Sequence, residues 1–297
     1  MAKARSIAKR RKAVNNIRKI THTMQLIATA RFQKSLNRAV GTRPYTDKIT
    51  ELVQQVSRAG ESIRHPLLTR QTDVKRQAVL LITSNRGLCG GYNASLFRTA
   101  LSAVGEVEPE GVATDLHVVG KKGVIYFKFM GRELAKTYPA ISDSASFADV
   151  EPIATAFMNA YCEGRYRAVR VVYMKFLSTA RQKSEVIQLL PIEALASSPD
   201  SATTADKGAA AEVMYDFSPP PELLLAELLP ETVKVRLFQC FCDATVSENV
   251  ARMVAMKSAT DSAGDMSKML GQRYNRARQS QITMELLDIM GGVEALK

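Results

Sequence analysis

The chain contains no tryptophan, and its three histidines, His22, His65 and His117, are scattered. Its four cysteines, Cys89, Cys162, Cys240 and Cys242, form no C-x-x-C pair and no Cys/His cluster at zinc spacing. A reduced, cytosolic protein with no metal is the simplest expectation. Cys240 and Cys242 stand two apart in a predicted helix, so their side chains diverge. No apolar run approaches the ~18 residues of a membrane span, and no signal-peptide core follows Met1. The most telling absence is of acid: from Met1 to Thr46 there is no Asp or Glu. Over the same stretch Lys3, Arg5, Lys9, Arg10, Arg11, Lys12, Arg18, Lys19, Arg31, Lys34, Arg38 and Arg43 are all basic. A block of one sign attracts something acidic, whether nucleic acid, an anionic membrane surface or an acidic protein.

What is present is enough apolar residue, 46% of 297 positions, for one or two packed domains. From Ala4 to Ser57 the pattern is helical, with a narrow stripe of Ile7, Val14, Ile17, Ile20, Met24, Ile27 and Ala28. Such a stripe on a long polar helix is a coiled-coil seam. The helix would extend ~80 Å at 1.5 Å per residue, with a kink or break expected at Gly41 and Pro44. A second long helix is expected between Glu222 and Met290, ~100 Å in length, bent or interrupted near Pro230. Its seam is Val246, Val250, Met253, Met256, Ala259, Ala263, Met266, Leu270, Tyr274 and Ala277, with a mean spacing of about 3.4 residues, near the 3.5 of a left-handed coiled coil. Neither helix can bury its stripe alone, and antiparallel pairing solves this.

Between them the texture alternates. AVLLITS, DLHVVG, RAVRVVYMKF and SEVIQLLPI are predicted strands; YNASLFRTALSAV, KKGVIYFKFMG and FADVEPIATAFMNAYCEG are predicted helices. This order predicts a mostly parallel α/β sheet covered on both faces. The resulting division is 1–60 for the N-terminal helix, 75–195 for the α/β domain, 196–211 for a small-residue loop rich in Ala and Ser, and 220–297 for the C-terminal helix.

The stretch TSNRGLCGG, at the end of the first strand, invites a nucleotide-site reading. A P-loop would need Lys and then Ser or Thr after the last glycine, where Tyr92 and Asn93 stand. Gly87, Gly90 and Gly91 also miss the dinucleotide spacing. Cys89 has no histidine near in sequence to act as its base. The glycines therefore read as a sharp turn from strand to helix, with Arg86 at its tip a candidate partner contact. No carboxylate pair, metal cluster or triad stands out elsewhere, so a non-catalytic chain without a cofactor is expected.

Three stretches carry a family resemblance: RKITHTMQLIATARF, TSNRGLCGGYN, and SENVARMVAMKSATDSAGDM with YNRARQSQITMELLDIMGGVEAL. Over nearly its whole length the chain resembles the γ subunit of F-type ATP synthase, the central rotor shaft. The resemblance implies an α/β fold made of a long antiparallel coiled coil of the two terminal helices plus a central Rossmann-like domain. It implies partners in the α and β subunits of the catalytic hexamer, the ε subunit and the membrane c ring, and a place on the cytoplasmic face of a bacterial inner membrane. It also implies roles by position. Met24 matches a methionine near the β subunit's acidic lever. Arg252, Gln279, Thr283 and Glu285 match a polar cluster linking the two helices and a β subunit. Arg278 and Gln279 match contacts that catch the β ring, and LLDIMGGVEAL matches a tip turning in an apolar bearing. The resemblance starts within a few residues of Met1, which favours a bacterial chain over an organellar leader. Asn85 replaces a usual Asp, His22 and Thr23 replace Lys and Ala, and Ser262 replaces Asn. With no cysteine between Cys162 and Cys240, no thiol switch is expected. The alternative carried beside this reading is a basic coiled-coil protein that binds nucleic acid, although the basic stretch lacks interleaved aromatics.

Overall fold

A computed structural model describes residues 2–59, 65–107, 111–139, 141, 145–192 and 220–294; the expected loop 196–211 lies outside them. The elements run α1 (Ala2–Ala59), β1 (Arg76–Ile82), α2 (Tyr92–Gly105), β2 (Ala113–Val119), α3 (Lys121–Phe129), β3 (Lys136–Tyr138), α4 (Phe147–Cys162), β4 (Ala168–Phe176), β5 (Gln182–Leu190) and α5 (Pro221–Glu294). They divide into two compact units, one within Met1–Arg31 and Asn249–Lys297, the other within Phe32–Glu248.

The larger unit is built on a five-stranded sheet of order β3-β2-β1-β4-β5. β1 pairs in parallel with β2, from Arg76↔Ala113 to Ile82↔Val119, and with β4, from Gln77↔Ala168 to Leu81↔Val172. Only β5 is antiparallel, pairing with β4. The three-residue β3 escaped the sequence reading because KTY is too short to show a period. Gln77–Ile82 of β1 are all buried, as a central strand covered on both faces requires. Neighbouring residues of β2 show the two layers. Val118 faces Gly123 of α3, while His117 faces Phe157 of α4, with ring centroids 4.9 Å apart. α2 shares the α3 side, where Phe97 stacks on Tyr126 at 4.0 Å. α4 starts at a capping box: Ser146 Oγ accepts from Asp149 N, and Asp149 Oδ2 accepts from Ser146 N.

Neither helix is interrupted at its proline. Pro44 lies inside α1 and Pro230 inside α5. Each ring removes one intrahelical bond, and packed flanks hold the helices through it: Ala39 and Ile49 are buried around the first, Leu229 and Val233 around the second.

In the smaller unit α1 and α5 pair antiparallel. Going up α1, Arg11, Asn15, Arg18 and Thr21 meet Gly271, Ser267, Gly264 and Thr260 in turn. The seam follows the expected one on α5, apart from Met266, and departs from it in part on α1. Val14, Ala263 and Leu270 form its apolar core with Ile7 packed against them, and Ala28 and Met256 are buried too. Ile17, Ile20 and Ile27 are instead 50–59% exposed, and Met266 is also exposed. On α1 the covered positions include 7, 14, 21 and 28; on α5 Arg252, Met256, Ala263, Ser267 and Leu270 are buried, at spacings of three, four and seven. Thr21 and Asn15 were passed over as polar. Yet Ser267 Oγ donates to Asn15 Oδ1 at 2.8 Å, and the Thr21 and Thr260 hydroxyls lie 2.8 Å apart. Paired polar groups inside a seam fix register.

His117 carries a pH consequence. It is buried among Tyr138, Phe157 and Tyr166, and neither ring nitrogen has a hydrogen-bond partner. Burial lowers its pKa, opposed by Asp115 and reinforced by Lys136. A lowered folded pKa means that the unfolded chain binds the proton first, so stability should fall as pH drops below ~6.5. Urea midpoints at pH 7.5 and 5.5 should show this loss, and His117→Phe should reduce it.

Candidate functional surface

The glycine turn is a structural joint. Leu88 and Gly90 take φ of 64° and 58°, reversing the chain between β1 and α2. Asn93, in the first turn of α2, holds it closed. Its Nδ2 donates to Ser84 Oγ at 2.7 Å and Cys89 Sγ at 3.4 Å, and its Oδ1 accepts from Ser84 N at 3.2 Å. Cys89 is therefore a buried member of a turn, without a nucleophile's surroundings. Asn85 ties two further segments to this turn: its Oδ1 accepts from Lys121 N at the start of α3, and its Nδ2 donates to Ile141 O at 2.9 Å. An Asp could accept the first bond but not donate the second.

The second glycine pair, Gly120 and Gly123, was missed, although glycines closely spaced after a strand are a close-approach signal. Thr83 Oγ1 donates to Val119 O at 2.6 Å and accepts from Gly123 N at 3.1 Å. Gly120 has φ 92°, and a Cβ there would collide with the Thr83 carbonyl.

In doubly wound folds a ligand sits beyond the carboxyl ends of the strands, where the chain reverses its winding direction. Here that place lies at the ends of β1 and β4, and this chain's own α5 occupies it. Tyr92 Oη donates to Ala244 O at 3.2 Å, and Ser247 Oγ donates to Met174 O at 3.2 Å. The space left between Thr83, Val119, Phe241 and Ala244 is about 20 Å³. That is room for about one water, where a ligand pocket needs ~300 Å³ or more. Among the described residues no group of His, Cys, Asp or Glu could hold a metal, and no helix is long and apolar enough to cross a membrane.

What remains for function is surface. Arg86 is exposed at the turn, its carbonyl accepting from Ser84 Oγ at 2.7 Å. Met24 is half-buried on α1. Arg252 is buried on α5, whereas Arg278, Gln279, Thr283 and Glu285 are exposed within two turns of one another. Glu285 accepts from Gln281 Nε2 at 2.8 Å, and Thr283 Oγ1 donates to Gln279 O. The expected four-residue cluster is thus not brought together within the chain: 27 residues of helix, ~40 Å, separate Arg252 from Gln279. Around Gln279 the tip exposes Ile282, Met284, Leu286, Leu287, Ile289 and Met290. On α1, Arg11, Lys12 and Lys19 line a groove with Asn15, Asn16 and Tyr274.

An antiparallel helix pair, and a doubly wound sheet whose ligand crevice is filled by its own helix, define the architectural class. The comparisons make the class specific. A family model described as ATP synthase matches residues 3–296. The ATP synthase gamma chain of Rhodopirellula baltica is 47% identical over 297 residues, covering 100% of both chains. That of Leptospira biflexa is 37% identical over 297 residues, again covering both completely. That of Saccharopolyspora erythraea is 36% identical over 310 residues, covering 100% of this chain and 98% of the relative. Among solved structures, a chain of the Euglena gracilis mitochondrial ATP synthase OSCP/F1/c-ring assembly superposes with a TM-score of 0.64 at 18% identity, over 99% of this chain and 95% of its own. A chain of the rotor from the same source gives 0.59 at 17%, over 95% and 99%. The chain belongs to the ATP synthase gamma-chain family.

The joint at Thr83 predicts a specific sensitivity. A Cβ on Gly123 would lie 2.7 Å from both Thr83 Oγ1 and Val118 Cγ1. Gly123→Ala should cost ~1–3 kcal/mol by overpacking, read as a lower urea midpoint. An unchanged midpoint would show that the α3–β1 approach is looser than described.

Proposed function

We propose that this chain is the rotating central-stalk subunit of an F-type ATP synthase, itself non-catalytic. It would couple ion flow through the membrane c ring to ATP synthesis or hydrolysis in the α/β hexamer. The observation that carries this is full-length identity of 47% to a named gamma chain, joined to a fold with a filled ligand crevice. The α and β subunits would surround the helix pair. The ε subunit and c ring would meet the α/β unit, on the cytoplasmic face of a bacterial inner membrane. Met24, Arg86, Arg252, Arg278, Gln279, Thr283 and Glu285 are proposed partner contacts, and the apolar tip beyond Ile282 a bearing surface. One charge crossing ~100 mV carries only ~2.3 kcal/mol. Several crossings must therefore be summed per ATP, which requires a stiff transmitting element. No finding favours nucleic acid as the partner of the basic helix.

A tagged chain recovered from nuclease-treated native membranes should bring down α and β subunits in threefold excess, with ATPase activity. Recovery of nucleic acid alone would sink the reading. Removing residues 288–297 should lower hydrolysis or rotation in the complex yet leave thermal unfolding of the α/β unit unchanged. A shift in that unfolding would count against a bearing confined to the tip.

A further inference from the structure

β4 outlasts its neighbour. Pairing of β1 with β4 ends at Leu81↔Val172, but β4 continues to Phe176. Beyond that point two β4 carbonyls, one strand period apart, accept from side chains on the two long helices. Met174 O accepts from Ser247 Oγ of α5 at 3.2 Å, and Phe176 O accepts from the Arg43 guanidinium of α1 at 3.4 Å. Arg43 reaches further, with its Nη2 3.6 Å from Asp243 Oδ1 on α5. Asp243 is buried and also accepts from Gln239 Nε2 at 3.1 Å. The Phe32 ring lies 6.3 Å from Phe176 at the same end.

We infer that the overhanging end of β4 is the grip by which the sheet drives both shaft helices, and that Arg43 is its positioning residue. This rests on the rotor reading. Arg43 joins three elements: a sheet carbonyl, α1 on which it sits, and a buried carboxylate on α5. Both contacts are made from Nη2, whose two N–H groups diverge in the guanidinium plane, so one nitrogen can face a carbonyl and a carboxylate at once. The two acceptors lie on elements that would otherwise slide past one another under torque. Ser247 adds a second, independent tie from α5 to the same strand end. Packing of apolar side chains resists separation but is non-directional; hydrogen bonds to fixed carbonyls resist rotation of a helix about its own axis.

The test uses the whole ATP synthase, reconstituted in vesicles, with Arg43→Lys, Ser247→Ala and the double variant. Lysine keeps the charge opposite Asp243 but loses the fixed planar direction of the Nη2 donors. Subunit stoichiometry, ATP hydrolysis, ions pumped per ATP, and angular fluctuation of a probe on the rotor under load are read together. The double variant should assemble and hydrolyse ATP within about twofold of the parent, while ions pumped per ATP fall at least twofold and angular fluctuation rises. A merely structural role would move assembly and hydrolysis along with pumping. Parental fluctuation and pumping in an assembled double variant would overturn the grip. So would failure of every variant to assemble, since that would make these residues folding determinants. Failure of the parent chain to assemble with α and β subunits would instead overturn the rotor reading itself.

Discussion

Two helices from opposite ends of the chain hide very little of each other, and much of the molecule follows from that economy. The seam of the smaller unit is narrow, with Val14, Ala263 and Leu270 as its apolar core and polar pairs such as Asn15–Ser267 within it. A seam this narrow cannot cover the apolar side chains beside it, so Ile17, Ile20 and Ile27 stay exposed. Scattered exposed aliphatics are ordinary on a soluble surface. A row of them along one helix, followed on the other by Ile282 to Met290, points to surfaces made for neighbours. The polar seam pairs then have a clear purpose. Small and hydroxylic side chains pack weakly and could slip by a turn, but matched hydrogen bonds allow one register.

The second constraint is a difference in strand length. Because β1 stops short of β4, the carboxyl end of the sheet has a step, and α5 lies in it. The same step removes a ligand site and supplies a grip. Backbone carbonyls at the end of a strand need partners; here Ser247 and Arg43 provide them. The glycine turn completes the arrangement by folding the chain back tightly after β1, which brings Tyr92 within reach of Ala244. Fold and function meet at this joint: a sheet of the kind that elsewhere holds a nucleotide holds a helix.

The sheet and its two layers were legible in the sequence because β1 and β4 are near-continuous apolar runs, α2 and α4 are amphipathic, and all have clear boundaries. The long helices were legible from their apolar stripes, and so was the α5 seam apart from Met266; the α1 seam was legible only in part. An apolar stripe was traced through Ile17, Ile20 and Ile27, whereas the covered positions of α1 run through Thr21 and small residues. Hydrophobicity marks a seam only where the seam is apolar, and this one is partly hydroxylic. Pro44 and Pro230 misled in the opposite direction, since local propensity was outweighed by packed flanks. Arg43 was visible only as one cation among many. Its partners, Phe176 and Asp243, lie more than a hundred residues away, and no local pattern announces such a meeting.

The charge distribution fits a moving part better than a fixed one. Arg5, Lys9, Arg10, Arg11, Lys12, Arg18 and Lys19 are all exposed on α1. Charges separated by more than ~8 Å in physiological salt scarcely feel one another, so each acts locally on whatever surface is next to it. Cations spread along the exposed side of α1 offer an acidic neighbour many similar weak contacts, without the deep minimum that a few matched ion pairs would create. The grip calls for the reverse arrangement, and Arg43 has it, with one guanidinium tied to one buried carboxylate and one carbonyl. Diffuse charge where surfaces must slide, and directional bonds where they must not, is the division of labour that a rotating shaft requires.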